Sequence, residues 1–252
     1  LKYIKNTDFL VVVFDTGEKN FRHDIYQEYK INRPSPPENL IPQFALIRQA
    51  VNAMNIAYEE VVGFEADDVI ATLSAKYSQI MEVVVVTADK DLFQLMNNGS
   101  KIYDPIKNKF ISRGDVYDKF GVYPDQLLDL LSLTGDASDN IPGIPGIGIK
   151  TAAKLLAEYQ NIDNILKNVD YIKQEKLKKN LIENKNQLLI SKQLITLNYE
   201  VNLTNDINKY SLSTPNKKNL LNFLERYELH SILNKMEKLW DFKKSPIDEI
   251  LI

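Results

Sequence analysis

The sequence predicts an α/β fold with a mostly parallel sheet, followed by a helical unit. Two continuous apolar runs, Phe9-Leu10-Val11-Val12-Val13-Phe14 and Val83-Val84-Val85-Val86, lack the polar alternation of a half-exposed strand and suit parallel strands buried on both faces. Between them, apolar residues recur at helical spacing. Beyond about residue 112 the strand signal fades, and short helical patterns separated by Gly, Pro and Asn take over. Alternating strand and helix implies βαβ units with helices covering the sheet.

The first apolar run ends in Asp15. Over residues 17–40, Arg22, Tyr26, Tyr29, Lys30 and Arg33 fall on one face of a helix while Asp24 and Glu28 fall elsewhere, and Pro34, Pro36 and Pro37 end it. A basic and aromatic stripe suits a phosphate backbone and a splayed base, although an ordinary surface helix has the same pattern. Leu40, Ile41, Phe44, Ile47, Val51 and Met54 mark a second helix, and Ala57–Val62 reads as extended. Glu65–Tyr77 is helical, with Val69, Ile70 and Leu73 as its buried stripe. The second run ends just before Asp89 and Asp91. Asp115–Phe120, Pro124–Leu133 and Lys150–Tyr159 are helical patterns, and the Lys- and Asn-rich stretch from Lys173 to Lys192 reads as a solvated helix face. A boundary near Arg113 is expected, giving an α/β core over 1–113, a helical unit over 114–239 and a tail over 240–252.

Composition narrows the chemistry. With 252 residues, 44% hydrophobic and 26% charged, the chain can bury a core, which excludes a largely disordered class. The absence of Cys and the presence of only His23 and His230 exclude disulfides and thiolate metal sites, and leave little for a zinc cage or a Ser-His triad. Any metal must be held by oxygen. No apolar run approaches the roughly 20 residues of a membrane span, and Leu1–Asn6 carries no signal-peptide core, so a protein of a reducing intracellular compartment is expected.

The acids form a pattern. In open α/β sheets, ligands bind beyond the carboxyl ends of strands, where Asp15 and the Asp89/Asp91 pair lie. If the chain stays extended past Thr87, the strand period turns both members of that pair to one side. Glu65, Asp67 and Asp68 stand at a helix start, where Glu65 and Asp68 share a face and Asp67 does not. Asp136 and Asp139 lie in a turn-rich loop. Two such charges about 4 Å apart repel by about 4 kcal/mol at an effective dielectric near 20. Eight of them gathered together rival a domain's stability of about 5–15 kcal/mol, so cations or protons must offset them. Oxygen ligands alone select Mg²⁺ or Mn²⁺, and two such ions about 4 Å apart suit in-line phosphodiester hydrolysis. The net charge of −3 does not argue against a phosphate polymer: without these eight, 26 acids face 31 basic residues, a surplus of five positive charges.

The run from Asn140 to Lys154 contains Gly143, Gly146 and Gly148, followed by Lys150 and Lys154. It nearly fits a P-loop, but Ile149 stands where the lysine belongs and the run follows no strand. A helix-hairpin-helix fits better: glycines admit a DNA strand, amides at the helix start bind phosphate, and the lysines add charge.

Taken in order, Phe14-Asp15, Phe21-Arg22-His23, Tyr29–Pro34, Gly63–Asp68, Thr87–Asp91 and Gly135–Gly143 carry a close resemblance to the 5′-nuclease domains of the flap endonuclease family, the kind found in bacterial DNA polymerase I. The resemblance implies a PIN-like core with a helical arch, and two Mg²⁺ or Mn²⁺ ions. It assigns the first ion to Asp15, Glu65, Asp67 and Asp68, and the second to Asp89, Asp91, Asp136 and Asp139. Lys30 and Arg33 steer the scissile phosphate, and the glycine hairpin grips duplex DNA and coordinates K⁺. The implied activity is 5′→3′ exonuclease and flap endonuclease action on flap, nicked or branched DNA in replication and repair, by a monomer with a DNA polymerase as a possible partner. Family members also carry an earlier strand ending in Asp, which this sequence lacks from Leu1 onward. A catalytically impaired flap-DNA-binding module is therefore the alternative expectation, and a PIN-type ribonuclease a weaker one.

Overall fold

The computed structural model describes residues 7–240. The strands are β1 (Val11–Val13), β2 (Ala57–Glu59), β3 (Val84–Val86), β4 (Lys101–Asp104) and β5 (Lys109–Ile111). The α-helices are α1 (Phe21–Ile25), α2 (Ile41–Ala53), α3 (Ala66–Tyr77), α4 (Arg113–Phe120), α5 (Leu127–Thr134), α6 (Ile149–Tyr159), α7 (Ile162–Lys167), α8 (Glu175–Glu183), α9 (Lys185–Ile195), α10 (Lys217–Arg226) and α11 (His230–Trp240). They fall into two compact units, one from residues 7–14, 35–60 and 202–240, the other from 15–34 and 61–201. The expected boundary at Arg113 falls inside the second unit, where Ser112 caps α4 directly after β5. From residue 241 the expected tail lies outside the described residues.

In the first unit β1 and β2 pair in parallel, with Val12 opposite Tyr58. Val11–Val13 are only half-buried, because a two-stranded ribbon has too few neighbours to cover both faces. Pro42 sits in the first turn of α2, where a missing N–H breaks no helical hydrogen bond. Leu220, Leu224 and Met236 of α10 and α11 are buried together, with Ala53 and Met54 packed against them. Arg48 of α2 holds Glu60 in an ion pair.

The second unit carries a three-stranded sheet in the order β3-β4-β5, parallel in the first pair and antiparallel in the second. The parallel pairings expected from the sequence are present, but in two separate sheets. The β4–β5 hairpin was not legible beforehand, because both strands are short and polar; Asp104 accepts the N–H groups of Ile106 and Lys107 to make its turn. Helices α5, α6 and α9 form the core beside the sheet through Leu127, Leu130, Leu156, Leu188 and Leu194, all almost fully buried. Burying each such leucine contributes about 1.5–3 kcal/mol.

Two local expectations are corrected. Residues 17–40 do not form one helix: α1 ends at Ile25 and residues 27–32 are turns, with Lys30 at φ 56°. Nor does the chain stay extended past Thr87. Asp89 N–H donates to Thr87 Oγ1 and Asp91 N–H donates to Asp89 Oδ1, which curls the backbone into a 3₁₀ helix over Asp91–Asn98.

Candidate active site

The start of α3 sorts three consecutive motif acids into different surroundings. Gly63 takes φ 87°, a left-handed value that favours glycine, and lets the chain turn into Glu65, the N-cap. Asp68 accepts the Glu65 N–H at 3.1 Å, as a capping residue does, while Asp15 Oδ1 accepts the Ala66 N–H at 2.8 Å. Helical rotation of about 100° per residue then turns Asp67 and Asp68 apart.

Asp68 faces inward. Its carboxylate accepts both terminal nitrogens of Arg22, Nη1 at 2.6 Å and Nη2 at 2.8 Å, and the Asn198 N–H at 2.8 Å. Arg22 completes its fork on the carbonyls of Leu194 and Thr196. Asp68 is 0% and Arg22 2% exposed. Burial opposes the Arg22 charge, but the Asp68 carboxylate outweighs it and raises the guanidinium pKa. These two residues were expected to hold metal and DNA. The geometry makes them a saturated internal pair with no free face.

The remaining acids meet in one open cavity of about 450 Å³. Asp15, Glu65, Asp67, Asp89, Asp91, Asp136 and Asp139 line it, together with Lys30, Arg33, Lys90 and Lys119. Lys30 Nζ lies 2.6 Å from Glu65 Oε1 and 3.6 Å from Asp139 Oδ2. Arg33 pairs with Asp139, and Lys90 with Asp136 at 2.5 Å. Tyr29, buried, donates its hydroxyl to Glu65 at 3.1 Å; burial and the Glu65 and Asp139 charges push its pKa up. Further bonds, three of them involving backbone groups, tie the turn that carries Lys30 and Arg33 to the acidic loop. Those three are Lys30 N–H to Asp139 O, Asn32 Nδ2 to Ala137 O and Asn140 Nδ2 to Glu28 O.

Among the described residues Asp67 and Asp91 form no such ion pair. Burial, then the neighbouring carboxylates of Asp89, Glu65, Asp15 and Asp91, push Asp67 up to about 7. Burial and Asp89 do the same to Asp91, against the pull of Lys90, also to about 7. The Oδ1 atom of Asp91 is buried without a hydrogen-bond partner. Asp136 is held below its usual range: burial works the other way, but Lys90 and Ser138 prevail. Among the described residues no three carboxylates converge closely enough to hold an ion as they stand. The basic side chains supply the offsetting charge in this arrangement. The donor set nevertheless fits a hard divalent cation, being all oxygen and including a buried, unpartnered carboxylate oxygen.

The glycine loop is held from behind by Ser191 Oγ on Pro142 O and Asn180 Nδ2 on Pro145 O. Gly143 has a packing role, since a Cβ there would stand 2.1 Å from Thr134 O. Gly146 and Gly148 are exposed, Gly148 caps α6 with no side-chain bond, and Lys150 and Lys154 are exposed on the helix that follows. Of the aromatic stripe, Tyr29 is buried and Tyr26 is half-buried against Glu28. Two pocket cations escaped the sequence reading: Lys90 stands inside the quoted Asp89/Asp91 motif, but Lys119 sits on a helix with no motif at all.

Comparison with known proteins adds to this picture. A family model described as "5'-3' exonuclease, N-terminal resolvase-like domain" matches residues 1–121, and its companion, "5'-3' exonuclease, C-terminal SAM fold", matches residues 122–218. DNA polymerase I of Rhizobium leguminosarum is 40% identical over 259 residues, covering 100% of this chain and 26% of that protein. The chain thus spans about a quarter of the length of that relative. Two solved structures share the fold. T5 5′-exonuclease with divalent metal ions (zinc) has a TM-score of 0.66 at 21% identity, covering 90% of this chain and 84% of that one. The catalytic core of Rad2 in complex with DNA substrate has a TM-score of 0.58 at 19% identity, covering 91% and 76%.

Proposed function

The chain belongs to the 5′-3′ exonuclease family, and on that premise we propose that it is a metal-dependent 5′→3′ exonuclease and 5′-flap endonuclease that hydrolyses DNA phosphodiesters. The observation that carries this reading is the gathering of seven carboxylates, two of them raised to about 7, with four cations in one open cavity. The divalent ions of one solved structure that shares the fold and the DNA of the other point the same way.

Asp15, Glu65 and Asp67 on one side, and Asp89, Asp91, Asp136 and Asp139 on the other, are the residues that would hold two Mg²⁺ or Mn²⁺ ions. Bound divalent ions supply Lewis acidity toward the phosphodiester and toward water. The chain's own groups do the rest. Lys30 and Arg33, tied to the acidic loop, give up Glu65 and Asp139 when those carboxylates are otherwise engaged, and turn their charge to the scissile phosphate as it becomes more negative. Tyr29 fixes Glu65 through its hydroxyl. Gly146, Gly148 and the start of α6 offer backbone amides to a duplex phosphate, with Lys150 and Lys154 adding charge. Backbone carbonyls of that loop are the groups that would hold a K⁺ ion, in a loop fixed by side-chain bonds to Pro142 O and Pro145 O. The protein acts inside the cell as a monomer on flap, nicked or branched duplexes, beside a DNA polymerase activity such as its relatives carry.

No observation among the described residues favours the impaired binding module over an active enzyme. Mg²⁺-dependent cleavage of a 5′-flap duplex tests the reading. The wild-type chain cleaves and Asp89→Asn/Asp91→Asn does not; equal cleavage by both removes the assigned site.

A further inference from the structure

One cation of the acid cavity differs from the other three. Lys30, Arg33 and Lys90 each hold a carboxylate of the cavity. Lys119 lines the same cavity, yet among the described residues it makes no ion pair; its ammonium lies 4.9 Å from the ring centre of its neighbour Phe120. A lysine already engaged must give up its partner before it can bind phosphate. Among the described residues Lys119 has no carboxylate partner to lose. Its backbone is firmly set: Ser112 and Asp115 cap α4 reciprocally, and Val116 and Phe120 bury the inner face of the helix, leaving Lys119 exposed. A flexible, strongly hydrated ammonium on a fixed helix is suited to meet a phosphodiester as a point charge.

We propose that Lys119 is a phosphate-binding residue of the active site, contacting the backbone of the DNA strand that enters the acid cavity. This rests on the nuclease reading above. A lysine in the last turn of a helix is also favoured by the helix dipole, so the test needs a readout that stability does not move.

That readout is the salt dependence of binding. The full chain carrying Asp89→Asn/Asp91→Asn, which removes turnover and two repelling charges, is titrated against fluorescent 5′-flap DNA without divalent ions at several NaCl concentrations. Adding Lys119→Met is expected to weaken binding several-fold and to reduce the slope of log K against log[salt] by about 0.7–0.9, the range for one lost phosphate contact on a single strand or a duplex. Lys119→Arg restores the slope. An unchanged slope in Lys119→Met, with the parent binding flap DNA, overturns the assignment of Lys119 alone. A parent that does not bind flap DNA overturns it together with the nuclease reading.

Discussion

Asp67 and Asp68 are neighbours in sequence and opposites in environment. Asp68 is fully buried, with both oxygens satisfied by Arg22 and the Asn198 amide, so each charge of this buried pair has a fixed partner. Asp67 opens on the cavity among carboxylates, and its protonation is displaced to about 7. The residue type is the same and the helix is the same. What separates a structural acid from a chemical one is whether the fold supplies a complementary cation or leaves the charge to something that arrives.

The contrast can be broken at either end. The largest effect is expected from Asp68→Asn or Arg22→Met, each of which strands a buried charge. Stability should fall by about 3–5 kcal/mol, measured by denaturant unfolding. Asp67→Asn should do the reverse: thermal stability at pH 8 is kept or raised, while flap cleavage in Mg²⁺ falls by about 10²–10³-fold. If both substitutions act alike, the distinction between the two regions fails. A similar contrast in the glycine loop sharpens the picture at smaller amplitude. Gly143→Ala collides with Thr134 O and should cost about 1–3 kcal/mol, whereas Gly148→Ala meets open space and should weaken duplex binding with little change in melting temperature.

A further effect is in pH. A carboxyl in the unfolded chain titrates near 3.9, and folded Asp67 and Asp91 near 7, so between those values the folded state binds more protons. Their contribution is fully present below the unfolded value and is lost as pH rises through the folded one. Melting temperature in EDTA should therefore decline from pH 5 to pH 8, Asp67→Asn should flatten that decline, and Mg²⁺ should oppose it most at the alkaline end.

Much of this was legible in the sequence. The order and spacing of Asp15, Glu65, Asp67, Asp89, Asp91, Asp136 and Asp139 brought seven acids to one cavity, and helical phase separated Asp67 from its neighbours. The fate of Asp68 was not legible, because its partner lies 46 residues away on a short helix whose inward face depends on carbonyls at Leu194 and Thr196. The 17–40 stripe misled for a related reason: helical spacing of side chains does not show that a helix forms, and turns at residues 27–32 separate Lys30 from the short helix on which Arg22 is buried. Asp89 and Asp91 reached the cavity by a turn, where an extended strand had been expected. Lys119 stayed unseen because a lone lysine carries no pattern, and only packing places it among the acids.

Titration of Mn²⁺ into the chain at pH 8, followed by calorimetry, addresses the cavity most directly. Saturable uptake of two ions per chain, lost in Asp89→Asn/Asp91→Asn and kept in Lys119→Met, is the predicted result. An absence of saturable uptake, or uptake indifferent to the double substitution, contradicts it.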